Sequence, residues 1–439
     1  MEKLAILGGE KAIKKDYTEY FRWPIITKEM EEKVLEVLRK GAMSGTDLTE
    51  EFEKEYANLY GMKYALCHNN GTAAIHSALF GLKIGKGDEI ICPSMTYWAS
   101  CLPVLSLGGT VVFADIEEES LCIDPDDIER HITDKTKCII VVHYAGYPAD
   151  MDKITQIAKK YNLKILEDCS HSHWCFYKGK LTGTFGDVSA FSLMSGKSFP
   201  IGEGGIMLTD DLEIYERAII FGHYERHSKI TIDYLKNGAG VPWGGYKYRM
   251  HQLSSAVGIV FIKIFKEIFE EIDKAMNYFC DLLDTLPGIK AHRPPKNSGL
   301  TKGGWYAPFA HYKKEELNGL SITRFCDALR AEGISTNPGC NKPLHMHPIF
   351  QSIDIYNDGK PTIIRNSEKD IRAKIGSLPV SENIGKKVFS IPRFVKFDKN
   401  VIEEYFSAFE KVVKNHKELL KDDPGDPQTI GNWGLTFRI

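Results

Sequence analysis

Apolar residues recur at helical spacing early in the chain. KEMEEKVLEVLRK sets Met30, Val34, Leu35, Val37 and Leu38 on one face, with Thr27 placed to cap its start and Glu29 and Glu31 in the first turn. TEEFEKEYANLYG repeats the pattern through Phe52, Tyr56, Leu59 and Tyr60, and Gly61 suits a left-handed cap. The period then changes. Seven apolar runs of strand length follow, bounded by turn residues: YALCH, DEIICP, GGTVVFAD, KCIIVVHY, LKILED, VSAFSLM and GGIMLTD. Several are apolar on both faces, as strands are when helices cover the sheet above and below. Helical segments such as DMDKITQIAKKYN separate some of them. The spacing predicts an α/β domain over residues 1–265, with a mostly parallel, seven-stranded-type sheet and helices on both faces.

From Tyr248 a long helical run, YRMHQLSSAVGIVFIKIFKEIFEEIDKAMNYFCDLLDTL, leads out of that domain. A helix at SITRFCDALRAEG and an amphipathic one at VIEEYFSAFEKVVKNHKELLK follow, consistent with a smaller α+β domain over 266–439. The tail DDPGDPQTIGNWGLTFRI is polar and turn-rich, but Trp433 and Phe437 would let it dock on a surface.

Composition narrows the class. At 439 residues the chain exceeds what one compact core holds, so two domains are expected. A net charge of −3, from 56 basic and 59 acidic residues, gives no electrostatic reason for a nucleic-acid or anionic-membrane partner. No apolar run reaches the roughly 20 residues a bilayer needs, and the N-terminus has no signal-peptide pattern. Ten scattered cysteines without a CxxC pair read as free thiols, and a cytoplasmic location is expected.

Ligands of open α/β sheets bind beyond the carboxyl ends of the strands, so the segments after each strand carry the candidates. After YALCH, Asn70, Gly71 and Thr72 open a helix whose free amides suit a phosphate, or simply form a capped start. After DEIICP, Tyr97 or Trp98 offers a flat face to a planar ring, or packs in the core. LKILED ends on Asp168, a carboxylate at the end of an apolar strand, which calls for a cationic partner or a helix to cap. Cys169, His171 and His173 follow at a spacing that matches no standard zinc pattern, so no metal is expected.

After VSAFSLM comes SGKSFPIGEGG. Its GKS resembles a phosphate-binding loop, but that motif needs a glycine at position 191, where the chain has Phe191, and a following helix rather than a strand. A lysine nucleophile passes where that motif fails: a strand-end, glycine-lined crevice can desolvate Lys197 enough to leave its amine partly neutral. A pyridoxal phosphate site needs such a lysine, an acidic partner for the pyridine nitrogen, a phosphate cradle and a stacking group. Lys197, Asp168, Gly71–Thr72 and Tyr97 supply one of each.

NNGTAAIHSAL, GDEIICPSMTYWAS, ILEDCSHSH, GTFGDVSAFSLMSGKSFPIGEGGIMLTDD and GGYKYRMHQLSSAVG, in this order, resemble the sugar aminotransferases typified by DegT and StrS, pyridoxal phosphate enzymes of fold type I. The resemblance implies that Lys197 binds the cofactor covalently and shuttles the proton, that Asp168 pairs with the pyridinium nitrogen, and that Tyr97 stacks on the ring. It also implies His171 beside the ring hydroxyl, and Gly71, Thr72 and Ser192 on the phosphate. Where many members have Asn in G-Y-N-Y-R, this chain has Lys247, which would reach a neighbouring subunit's phosphate as a point charge and so require a homodimer. NPGCNKPLHMHPIF resembles the substrate-side loop and would place His345 near the substrate, or leave it a buried structural histidine. The implied reaction moves an amino group from glutamate or glutamine to a keto-sugar, possibly nucleotide-linked, or to a keto-cyclitol. Relatives with histidine in place of the lysine are dehydratases, a branch that Lys197 argues against; a non-catalytic regulatory protein on the same fold is the remaining alternative.

Overall fold

A computed structural model describes residues 2–433. Each of the seven apolar runs forms a strand of one sheet. These are β1 Tyr64–His68, β2 Glu89–Pro93, β3 Thr110–Ala114, β4 Thr136–Val142, β5 Lys164–Asp168, β8 Val188–Ser192 and β9 Gly205–Thr209, with a short hairpin of β6 Phe176–Tyr177 and β7 Lys180–Leu181 inserted before β8. The sheet order is β1-β9-β8-β5-β4-β2-β3. Only β9 runs against its neighbours; β2, β3, β4, β5 and β8 are parallel. Residues 193–204 fold back between β8 and β9 without a crossover helix, so β9 returns antiparallel beside β8.

The helices are α1 Lys28–Lys40, α2 Asp47–Tyr60, α3 Gly71–Gly81, α4 Leu102–Ser106, α5 Pro125–Arg130, α6 Met151–Tyr161, α7 Leu212–Gly222 and α8 Asp233–Lys236. Thr27 accepts the amide of Met30 at the start of α1, and Gly41 and Gly61 close α1 and α2 in the left-handed conformation. The predicted face of α1 is only half used. Met30 and Val37 are buried, whereas Leu35 and Leu38 are exposed, because α1 packs chiefly on one helix, α9 Gln252–Leu283. That helix starts at Gln252, capped by the His251 ring, rather than at Tyr248.

Helix α9 is unbroken through residue 265 and serves two cores. Phe261, Phe265 and Phe269 pack with α1, α2 and the back of β8 and β9. Ile272, Met276, Phe279 and Leu283 pack with α10 Ile322–Ala331, α12 Lys399–Lys414 and the antiparallel sheet of β10 Ile289–Ala291, β11 Phe309–Tyr312 and β12 Val388–Ser390. Between these elements lies α11 Pro379–Asn383, and α13 His416–Leu419 follows α12 after a break at Asn415. Leu4 and Ile13, from the start of the chain, join the second core. In the tail, Trp433 docks: its indole donates to the Pro343 carbonyl at 3.4 Å and its ring meets His347 edge-on. Phe437 lies outside the described residues. No described helix is long and apolar enough to cross a membrane.

Candidate active site

Four strand ends open onto one cavity of about 380 Å³. Its lining includes Gly71 and Thr72 after β1, Tyr97 after β2, Asp168 and His171 after β5, and Ser192 and Lys197 after β8. Seven of the nine sequence candidates thus meet at one place. Lys247 and His345 do not line it.

Lys197 sits in a turn held from both sides. Its amide donates to Met194 O at 2.8 Å, its carbonyl accepts from the Trp23 indole at 2.9 Å, and the next residue, Ser198, donates to Gly304 O at 3.0 Å. The backbone is therefore fixed while the side chain remains uncommitted. Among the described residues Nζ has no hydrogen bond; it lies 4.0 Å over the Tyr306 ring. Burial pulls the amine from the usual lysine range down to about 7, with the charge of Asp168 opposing that shift.

Asp168 is buried at the end of β5 and has no ion pair among the described residues. Its carboxylate accepts from Ser100 Oγ at 2.7 Å and from the Ser170 amide at 3.0 Å. Ser100 in turn accepts from the Thr96 hydroxyl at 2.9 Å, so a short relay fixes the carboxylate without neutralising it. On the adjoining residue, Glu167 takes amides from Gly183, Phe185 and Gly186 and the His143 ring, which locks the strand end from the opposite face. His143, Glu167 and Cys169 lie close enough to suggest a metal, but Glu167 already has these four donors and reads as framework.

His171 is held neutral by burial and by the nearby cations. Its Nδ1 accepts the amide of Ala145 at 3.2 Å, so the proton resides on Nε2, which is left as a donor. Ala145 delivers that amide from a left-handed conformation, φ 51°, a strained backbone for a residue with a Cβ. His173, two residues on, lies instead among Phe191 and Phe199, away from His171's role.

Helix α3 presents its first amides to the cavity. Asn70 caps the Ala73 amide at 2.8 Å, leaving those of Gly71 and Thr72 outside the helical ladder. Gly71 has to be glycine for a steric reason: a Cβ there would stand 2.8 Å from Ser192 Cβ and 2.9 Å from its Cα. The helix start and the end of β8 are thus in direct contact, and Ser192 lines the cavity with Gly71 and Thr72. Tyr97 is half-buried on the other wall, tilted against Trp98 at 4.8 Å.

Lys247 is exposed in the loop after α8, 5.7 Å from the Tyr224 ring. His345 is fully buried elsewhere, with Nδ1 2.6 Å from Ser94 Oγ and Nε2 3.1 Å from Glu382. Three residues that sequence reasoning did not single out complete the surroundings: Ser100, Tyr306 and Trp23. Tyr306 comes from a loop in which Gly304, Trp305 and Ala307 all have φ between 45° and 53°. No local motif marks it; only the tertiary contact with Lys197 does.

The chain resembles known proteins over most of its length. The model of the DegT/DnrJ/EryC1/StrS aminotransferase family matches residues 24–409. The chain belongs to that family. It is 36% identical over 374 residues to GDP-perosamine synthase of Escherichia coli O157:H7, covering 84% of this chain and 92% of that one. It is 28% identical to L-glutamine:2-deoxy-scyllo-inosose aminotransferase of Streptomyces kanamyceticus, over 91% of this chain and 94% of that one. An aminotransferase structure from Psychrobacter cryohalolentis superposes with a TM-score of 0.78 at 25% identity, covering 91% of this chain and all of that one. The protein is a pyridoxal phosphate-dependent aminotransferase. The cavity fits that cofactor on its own evidence: an unbonded near-neutral lysine, a carboxylate lacking a cation, and free helix amides against a glycine that admits no Cβ.

Proposed function

We propose that this aminotransferase takes an amino group from glutamate or glutamine and passes it to a keto-sugar, free or nucleotide-linked, or to a keto-cyclitol. The similarity to GDP-perosamine synthase supports a nucleotide-linked acceptor, and that to the glutamine:scyllo-inosose enzyme supports a cyclitol with glutamine as donor. The observation that carries the catalytic reading is the Lys197 amine, unbonded and near pKa 7 in the cavity that Asp168 shares.

Pyridoxal phosphate would supply the electron sink that makes a donor's α-proton removable. Lys197 Nζ would anchor it and, once displaced, take that proton and return it one atom away, since a half-neutral amine both accepts and gives protons at neutral pH. Asp168, fixed by Ser100 and Ser170, would keep the pyridine nitrogen protonated. The Nε2–H of His171 would donate to the ring oxygen. Gly71, Thr72 and Ser192 would receive the phosphate, and Tyr97 would cover the ring. His345 has no part in this reading, because both ring nitrogens already have partners. Lys247 would serve a partner subunit's phosphate in a cytoplasmic homodimer. The exposed Val241, Trp243 and Tyr246 around it support a covering second copy.

The test begins with the purified protein. A visible cofactor band should be fixed by borohydride in the wild type and not in Lys197→Ala. Glutamate or glutamine should remove the band, and a GDP-linked keto-deoxysugar or 2-deoxy-scyllo-inosose should restore it. A band that no amino donor changes would refute the transamination proposed for these residues. Molar mass in solution and the phosphate affinity of Lys247→Ala test the shared dimer site.

A further inference from the structure

The chain continues beyond residue 409, where the family match ends, and its tail folds back onto the segment before His345. Asn432 forms a parallel bridge with Asn341, and its carbonyl accepts the Lys342 amide at 2.9 Å. The Trp433 indole reaches the Pro343 carbonyl one residue further on. The fit leaves no spare room. A Cβ on Gly431 would stand 2.2 Å from the Cys340 carbonyl oxygen, and one on Gly339 would stand 2.6 Å from Ile430 Cγ2. A tail lying loosely on a surface would not need glycine on both sides of the contact.

What the tail seats is Asn341. Its side-chain carbonyl accepts the Tyr144 hydroxyl at 2.6 Å, and its backbone amide donates to the same hydroxyl oxygen at 3.4 Å. Both residues are buried. Tyr144 opens the turn Tyr144–Gly146, in which Ala145 is left-handed, and such a backbone persists only where its surroundings hold it. At one end the Gly146 carbonyl accepts the Gly303 amide at 2.8 Å; at the other the Tyr144 hydroxyl is tied to Asn341. Between these anchors the Ala145 amide donates to His171 Nδ1, and the Tyr144 ring stands edge-on to the imidazole at 5.5 Å. A hydrogen bond at one imidazole nitrogen decides which nitrogen carries the proton.

We propose that Asn341 is a positioning residue: seated by the C-terminal tail, it holds, through the Tyr144 hydroxyl, the turn whose Ala145 amide keeps the His171 proton on Nε2. This rests on the reading above, in which that N–H meets the cofactor's ring oxygen. Neither Asn341 nor Tyr144 lines the cavity, so their effect passes through His171 alone. A donor to the ring oxygen favours its charged form, so a misplaced His171 raises the pH at which the visible cofactor band changes.

The experiment uses the cofactor-loaded full chain and three variants. Asn341→Leu removes the acceptor, Tyr144→Phe removes the hydroxyl but keeps the ring on His171, and Gly431→Ala unseats the tail. Each should raise the pH of the band change by about 0.5–1 unit, in the direction of His171→Ala. Asn341→Asp, which keeps an acceptor for Tyr144, should restore the wild-type value. Nitrogen-15 NMR gives a second readout, with the His171 signals assigned by their loss in His171→Ala. The three variants should shift those signals from the Nε2–H form toward the Nδ1–H form. Variants that lower the melting temperature but leave both readouts at wild-type values overturn the proposal, since a purely structural role would do that. A shift in Asn341→Leu but none in Gly431→Ala overturns the tail's part in it. If Asn341→Leu does not fold, Tyr144→Phe decides, because it deletes a single oxygen. If His171→Ala itself leaves the band unmoved, the ring-oxygen reading fails, and the nitrogen shifts still judge the positioning.

Discussion

Lys197 and Lys302 lie equally deep in the protein. Each exposes 5% of its surface, and burial brings each down to about 7. Their surroundings differ. Lys302 Nζ donates to the His292 carbonyl at 2.7 Å and to His292 Nδ1 at 2.8 Å, and His292 donates onward from Nε2 to Ser120 O at 3.0 Å. Lys197 Nζ has no such bonds, and a cavity and a carboxylate stand in front of it. A depressed lysine pKa records desolvation in both cases, but only the unbonded amine is free to react. The two are mechanically related, since Lys302 anchors the base of the loop that ends in Tyr306, against which Lys197 rests.

Removing each amine should break the comparison in opposite ways. Lys197→Ala should lower amino transfer by about 10⁴-fold or more and abolish the borohydride-fixed adduct, with little change in melting temperature. Activity within tenfold of wild type would disqualify Lys197 as the proton carrier. Asp168→Asn keeps the Ser100 contact in shape but removes the charge, and should cost about 10²–10³-fold in the rate of donor turnover. Lys302→Met should leave the cofactor band in place yet cost about 1–3 kcal/mol of stability in denaturant unfolding, because His292 loses the donor to its Nδ1 and carbonyl. Equal loss of adduct in Lys197→Ala and Lys302→Met would erase the distinction.

The comparison also marks how far the sequence could be read. The seven strands were legible because runs such as YALCH and KCIIVVHY are apolar on both faces, and only a covered sheet explains that. Lys197, Asp168, Gly71 and Tyr97 were legible because each follows one of those strands, where α/β sheets bind ligands. Lys302, Tyr306 and Arg393 were not. They belong to GLTKGGWYAPF and SIPRF, segments without regular period, and their meaning comes from tertiary contacts: Lys302 with His292, Tyr306 with Lys197, and Arg393 with Gly304 and Trp23. The exposed Leu35 and Leu38 mark the same limit from the other side: periodicity finds an apolar face, but the number of neighbours decides how much of it is buried.

The smallest effect concerns pH and isolates the reactive lysine. In cofactor-free protein, uptake of pyridoxal phosphate needs the neutral Lys197 amine. With the amine lowered to about 7, the neutral fraction falls tenfold for each pH unit below 7 and saturates above it. An ordinary lysine would instead keep gaining tenfold per unit up to about 10.4. The observed uptake rate should therefore rise with slope one from pH 5 and level off near 7 to 8. Lys302 titrates in the same range but is bonded to His292 and does not line the active-site cavity, so Lys302→Met should leave the position of this break unchanged while shifting the pH dependence of unfolding. There the sign is fixed by the lowered pKa. The unfolded chain binds the extra proton between about 7 and 10.4, so Lys302 favours folding increasingly as pH rises through that window, and the variant should lose that slope. A break in cofactor uptake that moved with Lys302→Met would mean that the two amines titrate as one system rather than as a reactive group and its structural counterpart.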